Sequence, residues 1–340
     1  MAHSSRNNFR EKANPNKKRF NLYEFFSGSG DGHGVSKDDR ITDYSVVNFF
    51  KLYGRNFGKI VRLNLLYILG NFPILFYLFA RSGNISRPSL APISLLYAPI
   101  HGVLLSGNMT PVTAALNGVY GYRTVNYVPT TVTYVFLALA ALVLFTFGFV
   151  NVGCAYIERN IVKCEPIFFM SDFFYAIKRN WKQALIFGIL DVAFMALIGY
   201  DIIFFYYNIG AFFNNFCFYV SLLLACIYFV MRFYIYIMML TFDLSIFKLL
   251  KNALIFTVLG FKRNIMAIIG MVLFCALCYF IFVTYPPIGM LLPLLLMIGT
   301  MTFMATYAAF PKIKEIMIDP YYRDEETPED TEAPVFHDMG

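Results

Sequence analysis

Six runs of roughly 20 almost uninterrupted apolar residues set the reading of this chain: 60–80, 131–153, 183–205, 216–240, 264–284 and 288–310. An α-helix rises 1.5 Å per residue, so each run is long enough to cross a hydrocarbon core of about 30 Å. Their apolar residues fill the runs instead of forming the single stripe of a helix packed on a soluble core. The pattern predicts an all-α polytopic membrane protein with six transmembrane helices.

Polar stretches between the runs predict how the spans are arranged. The segments 42–53, 171–178 and 243–259 each begin with Thr, Ser or Asp, good helix N-caps, and mix aromatic with basic side chains as interfacial helices do. Each stands just before a run. Three hairpins follow from this, each made of an interfacial elbow helix and two spans. The places where the chain enters the bilayer also look alike: Phe49-Phe50 before Arg55-Asn56, Phe173-Phe174 before Arg179-Asn180-Trp181, and Lys262-Arg263-Asn264. The first two copies keep the same spacing between the aromatic pair and Arg-Asn.

Charge then orients the chain. Of 28 Lys and Arg residues, 24 fall in alternate connecting segments, three in the others, and Arg232 lies inside a run. Basic residues are retained on the cytoplasmic side, so both termini are expected there and the protein in the cytoplasmic membrane. A further apolar stretch, 90–107, is short, holds His101 and is broken by Pro92 and Pro99. Were it a span, the basic residues between 159 and 182 would fall outside, so it is expected to be a re-entrant or interfacial segment on the outer side.

Composition agrees with this assignment: 58% of the 340 residues are hydrophobic and 14% charged, against about 25% charged in soluble domains. The net charge of +7 resides in helix flanks, not in an aromatic-lined basic face, which argues against nucleic acid. Residues 1–40 are polar and are expected to be a mobile cytoplasmic segment without a cleavable signal peptide. The glycine-rich 27–34 within them lacks the strand, helix and Lys-Ser/Thr frame of a phosphate loop and reads as a linker. Residues 319–340 form an acidic cytoplasmic tail, leaving 41–318 as the membrane domain.

Little of the sequence reads as chemistry. Cys275 and Cys278 form a C-x-x-C inside a run, without a second ligand pair, and all six cysteines read as small hydrophobes. No nucleophile with a base, metal cluster or phosphate loop is apparent, so no cofactor or enzymatic activity is expected. Charges inside spans are the exception, since each costs about 2.5–3.5 kcal/mol at a helix centre. Asp191 and Arg232 each lie eight residues from the inner end of consecutive antiparallel runs, about 12 Å deep. They are expected to form an intramembrane ion pair, serving either to lock two helices or to face a polar cavity. Asp201 sits nearer the outer end, and Asn64 and Asn71 are expected to hydrogen-bond across helices.

Several motifs resemble one known family. Asn48-Phe49-Phe50-Lys51-Leu52-Tyr53 with Leu63-Asn64-Leu65-Leu66-Tyr67 and Pro73 is similar to the YesL-like family of bacterial membrane proteins. So are Asp172-Phe173-Phe174 with Asn180-Trp181-Lys182-Gln183-Ala184-Leu185, and Thr241-Phe242-Asp243-Leu244-Ser245 with Lys251-Asn252-Ala253-Leu254. The resemblance covers about 34–320; the long outer loop 81–130 departs from it. The family is a domain of unknown function whose genes often neighbour those of carbohydrate ABC transporters or sugar degradation. What it implies is a non-catalytic accessory or assembly factor linked to carbohydrate uptake, with membrane lipids and a sugar ABC transporter as partners. The alternative expectation is a transporter or channel for a small solute in its own right. A transporter should bring polar groups from several spans to one cavity.

Overall fold

A computed structural model describes residues 43–107, 110–210 and 212–320. The N-terminal stretch 1–40, including 27–34, and the tail from 321 lie outside the described residues. The chain is an all-α polytopic membrane protein. Among the described residues are five helices long and apolar enough to cross a bilayer, and a bent helix pair that supplies a sixth if counted as one span.

Among the described residues the first element is α1 (Val46–Arg55), started by Ser45, whose Oγ accepts the Asn48 N–H at 3.4 Å. Its aromatic face docks onto the last long helix: the Phe49 ring lies 5.7 Å from that of Phe303 and 5.3 Å from that of Tyr307. Tyr53 shares a 2.9 Å hydrogen bond with Thr300. The chain turns at Asn56 and continues as α2 (Phe57–Gly70) and α3 (Pro73–Arg81), which are bent by 60° relative to each other. The expected straight span 60–80 is therefore broken. Pro73 has no N–H and its ring collides with a continuing helix, so Asn71 and Phe72 form a corner and Pro73 begins the next helix.

One device makes several of these corners. Asn56, Asn71, Asn180 and Asn208 all hold φ between −104° and −115° with ψ between 15° and 22°. In each, Nδ2 donates to the carbonyl four residues back, those of Leu52, Tyr67, Ala176 and Phe204. Asn tolerates this bridge conformation, and its amide satisfies a carbonyl left open at the helix end. Asn71 thus bonds within its own helix, not across helices.

The connection 82–130, expected on the outer side, contains the largest departure from expectation. Two strands, β1 (Arg87–Pro92) and β2 (Arg123–Val128), pair antiparallel from Arg87↔Val128 to Pro92↔Arg123. Two short helices lie between them, α4 (Tyr97–Leu105) and α5 (Pro111–Tyr120). The expected single segment 90–107 is thus divided between a strand and a helix. Pro88 and Pro92 favour extended backbone at the start, and a two-stranded ladder consists only of edges, where proline is tolerated. Nine residues in α4 rise about 14 Å, too little to span.

Next come α6 (Thr131–Ala140) and α7 (Val143–Val162), together one apolar helix of 32 residues, Thr131–Val162. It runs well past the expected end at 153. Then α8 (Phe169–Tyr207) contains the second elbow and the third run in one assignment, with non-helical Asn180 between them. After α9 (Phe212–Thr241) the third elbow, α10 (Ile246–Leu259), leads into α11 (Phe261–Thr284). Here the corner is Gly260, and Asn264 falls in the first turns of α11, so the third Arg-Asn is displaced from the other two. A Cβ on Gly260 would lie 2.0 Å from the Tyr234 hydroxyl, which leaves no room for an asparagine there. The last span is α12 (Pro286–Leu292), a π-helical turn Pro293–Met297, and α13 (Ile298–Ile313).

The core occupies one end of this bundle. Buried side chains cluster in 152–164, 230–240 and 303–313, together with Leu52, Ile60, Leu63 and Phe187. Toward the other end α9 exposes Phe213, Tyr219 and Leu223, and α11 exposes Leu273, Tyr279 and Phe280. Such faces suit lipid, which solvates them as well as protein does.

Candidate functional site

Polar groups from five helices meet within the bundle. On α9, Tyr228, Arg232 and Tyr236 follow at intervals of four residues and so share one face. All three reach Asp191 of α8, which is fully buried. Arg232 Nε lies 3.0 Å from Asp191 Oδ1 and 3.2 Å from Oδ2. The Tyr228 hydroxyl donates to Oδ1 at 2.8 Å, and that of Tyr236 to Oδ2 at 2.5 Å. One carboxylate therefore accepts from a guanidinium and two phenols, and its charge is compensated on the spot. The guanidinium carbon also lies 5.5 Å from the centre of the Phe147 ring.

A second carboxylate was concealed in the sequence. Glu158, seven residues after Asn151 on α7, is 1% exposed. Thr302 donates to its Oε1 at 2.6 Å and Thr306 to its Oε2 at 2.9 Å, a pair spaced one helical turn apart on α13. Among the described residues no Lys, Arg or His nitrogen lies within 4.0 Å of it. Its neighbour Arg159 turns elsewhere, donating to the Leu240 carbonyl at 2.9 Å and to Thr241 at 3.1 Å.

Between these groups lies a cavity of about 110 Å³, lined by Tyr67, Asn151, Glu158, Arg232, Tyr236 and Thr302, with Met271 and Met301 among its apolar walls. That volume accommodates waters or a small ion and falls below the 300 Å³ or more of a drug-sized ligand pocket. A buried carboxylate with no cation beside it is costly and calls for a proton or a positively charged ligand. Arg232 faces the same space, so the cavity presents one compensated ion pair and one carboxylate that protein cations leave unmatched.

The remaining sequence-derived residues lie apart from this cavity. Arg55 and Asn56, and Arg179, Asn180 and Trp181, stand at helix corners, whereas Arg263 and Asn264 lie in the first turns of α11; Arg55 donates to Cys164 Sγ at 3.3 Å and Lys182 sits over the Trp181 ring. Asn264 accepts from Tyr234 at 2.6 Å and donates to the Thr257 carbonyl, joining α9 to the third elbow. Asp243 and Lys251 are exposed and Asn252 is half-buried, all on or before α10. His101 stacks on Tyr97 within α4. Asp201 is half-buried toward the far end of α8.

Glu158, the two threonines and the three tyrosines were not read as site residues. Glu158 stands beside Arg159 at what resembles a cytoplasmic flank, although the repeat of Thr302 with Thr306 and of Tyr228, Arg232 and Tyr236 at helical spacing carried a signal. No family model, curated protein or solved structure matches this chain.

Proposed function

We propose that this protein is a carrier or channel for a small ion or small solute, with Glu158 as the group that binds a cation or proton during passage. The observation that supports this reading is an unmatched, buried carboxylate facing a cavity that it shares with Arg232. Polar side chains from α2, α7, α9 and α13 line this space, and α8 supplies the partner of Arg232. Convergence of several spans on one polar cavity is what transport requires and what a purely architectural bundle does without. The small volume argues against a saccharide occupying the site in this conformation.

A second reading is an accessory protein beside a carbohydrate transporter in the bacterial cytoplasmic membrane, as the resemblance to the YesL-like family implies. The outer connection favours it: Leu95 is fully exposed, and Leu105 and Val112 are largely so, a scatter of apolar side chains suited to a partner surface. Reconstitution in liposomes separates the two. Proton or monovalent-cation flux that is lost in Glu158→Gln supports the carrier; no flux under any gradient, together with a stably co-purifying transporter, supports the accessory role. Cysteine labelling at the two chain ends tests the orientation, with both ends reacting from the cytoplasmic side.

A further inference from the structure

A separate groove, independent of the cavity around Glu158, lies between α1, α11 and α13 and has a volume of about 430 Å³. Its chemistry is graded along its length. Arg263, Tyr44 and Tyr307 stand at one end, and Gly270, Leu273 and Leu277 lie farther along α11. The Tyr307 hydroxyl is already committed, donating to the Ser45 carbonyl at 2.8 Å. The guanidinium of Arg263 lies over the Tyr44 ring, 5.9 Å from its centre, and among the described residues no carboxylate comes within 4.0 Å of it. Asp43 and Asp319 are close enough to act on the tyrosines at this end, yet neither reaches Arg263.

We propose that this groove holds one acyl chain of an anionic phospholipid, with its phosphate at Arg263. Length supports the fit. From Arg263 to Leu277 the helix rises about 21 Å, close to one leaflet with its headgroup layer. Charge supports it as well: Arg263 and exposed Lys262 stand where a headgroup would lie, beside Tyr44 and Tyr307, and farther along the walls are apolar. The elbow helix α1 forms one wall of the groove with Val46, Phe49 and Phe50, so an acyl chain there lies between protein surfaces. Gly270 provides depth: a Cβ there would already meet Met304 Sδ at 3.4 Å, and a larger side chain would extend into the space.

The full chain, purified in mild detergent from membranes containing both phosphatidylglycerol and a zwitterionic phospholipid, tests this by native mass spectrometry. The expected result is one retained phospholipid per chain, predominantly phosphatidylglycerol. Arg263→Ala should reduce that preference about fivefold, while Arg263→Lys keeps most of it. Gly270→Leu should abolish retention of either lipid, with an unchanged helical circular-dichroism spectrum showing that the fold survives. Equal retention of both lipids that ignores Arg263→Ala would overturn the proposal. So would a groove filled by protein, seen as crosslinks from Gly270→Cys to residues 1–40 or to a second copy.

Discussion

Gly148 and Gly188 face each other across α7 and α8 so closely that a Cβ on Gly148 would lie 2.8 Å from the Gly188 Cα, and one on Gly188 would lie 2.5 Å from the Gly148 Cα. The same Cβ on Gly148 would lie 1.9 Å from the Ala184 carbonyl oxygen. Small residues at a crossing let two backbones approach, and in lipid that packing replaces the hydrophobic drive that water provides. Asp191 lies one turn beyond Gly188, so this contact helps to place the carboxylate opposite α9.

Gly148→Ala and Gly188→Ala should each therefore destabilise the detergent-purified protein by about 1–3 kcal/mol, as overpacking does elsewhere. The double variant should cost less than the sum, because either change alone already separates the helices. Thermal unfolding followed by circular dichroism measures both. Unchanged midpoints in the two single variants would show that the helices cross elsewhere.

Asp191 and Arg232 support a second prediction. Removing either partner leaves a charge in the bundle without its counter-ion, and breaking a buried pair typically costs about 3–5 kcal/mol. Asp191→Ala also strands the hydroxyls of Tyr228 and Tyr236, so it should lower folded yield more than Arg232→Ala. The double variant should recover part of the loss. A double-mutant cycle read from fluorescence-detected size exclusion checks the coupling, and strictly additive losses would show that the two charges act independently.

How much of this was legible before the fold depended on what each residue has to solve. Long apolar runs announce themselves, because lipid allows no other reading of some 20 such residues in a row. The corners at Asn56 and Asn180 were legible as a repeated spacing, since one hydrogen-bonding device recurs there. The third was displaced because Gly260, packed under Tyr234, makes that turn instead. The bend before Pro73 was available from proline's chemistry but hidden by the surrounding hydrophobicity. Glu158 was lost for a different reason. A carboxylate next to an arginine resembles a solvated flank, and only the packing of α13 against α7 shows that Thr302 and Thr306 enclose it. The sheet between β1 and β2 was missed because six-residue strands beside prolines carry little periodic signal.

Glu158→Gln isolates charge from shape. The amide is nearly isosteric and can still bond the hydroxyls of Thr302 and Thr306, so stability should change by no more than about 1 kcal/mol. Flux in liposomes should nevertheless disappear, because a neutral amide neither exchanges a proton nor balances a cation. Asn151→Ala, two turns away on the same face of α7 and lining the same cavity, should reduce flux without abolishing it. Undiminished flux in Glu158→Gln would remove this carboxylate from the transport cycle.

Asn64 gives the last prediction. Its Oδ1 accepts the Gly299 N–H at 2.9 Å and its Nδ2 donates to the Leu294 carbonyl at 2.5 Å, one amide bridging α2 to the π-helical turn and the start of α13. Proline at 293 and the wide turn after it interrupt the regular ladder, leaving backbone groups that lipid cannot satisfy. Gly299 permits the approach, since a Cβ there would lie 2.8 Å from the Ile60 carbonyl oxygen. Asn64→Leu keeps the bulk but abandons one donor and one acceptor, each costing about 1–3 kcal/mol when buried. The variant should lose thermal stability by a few kcal/mol and show faster hydrogen exchange at 294–299, with the exchange of α8 and α9 unchanged. Loss confined to that segment is expected because the bridge joins only these elements; uniform acceleration across the bundle would show that the last span unfolds with the rest as a single unit.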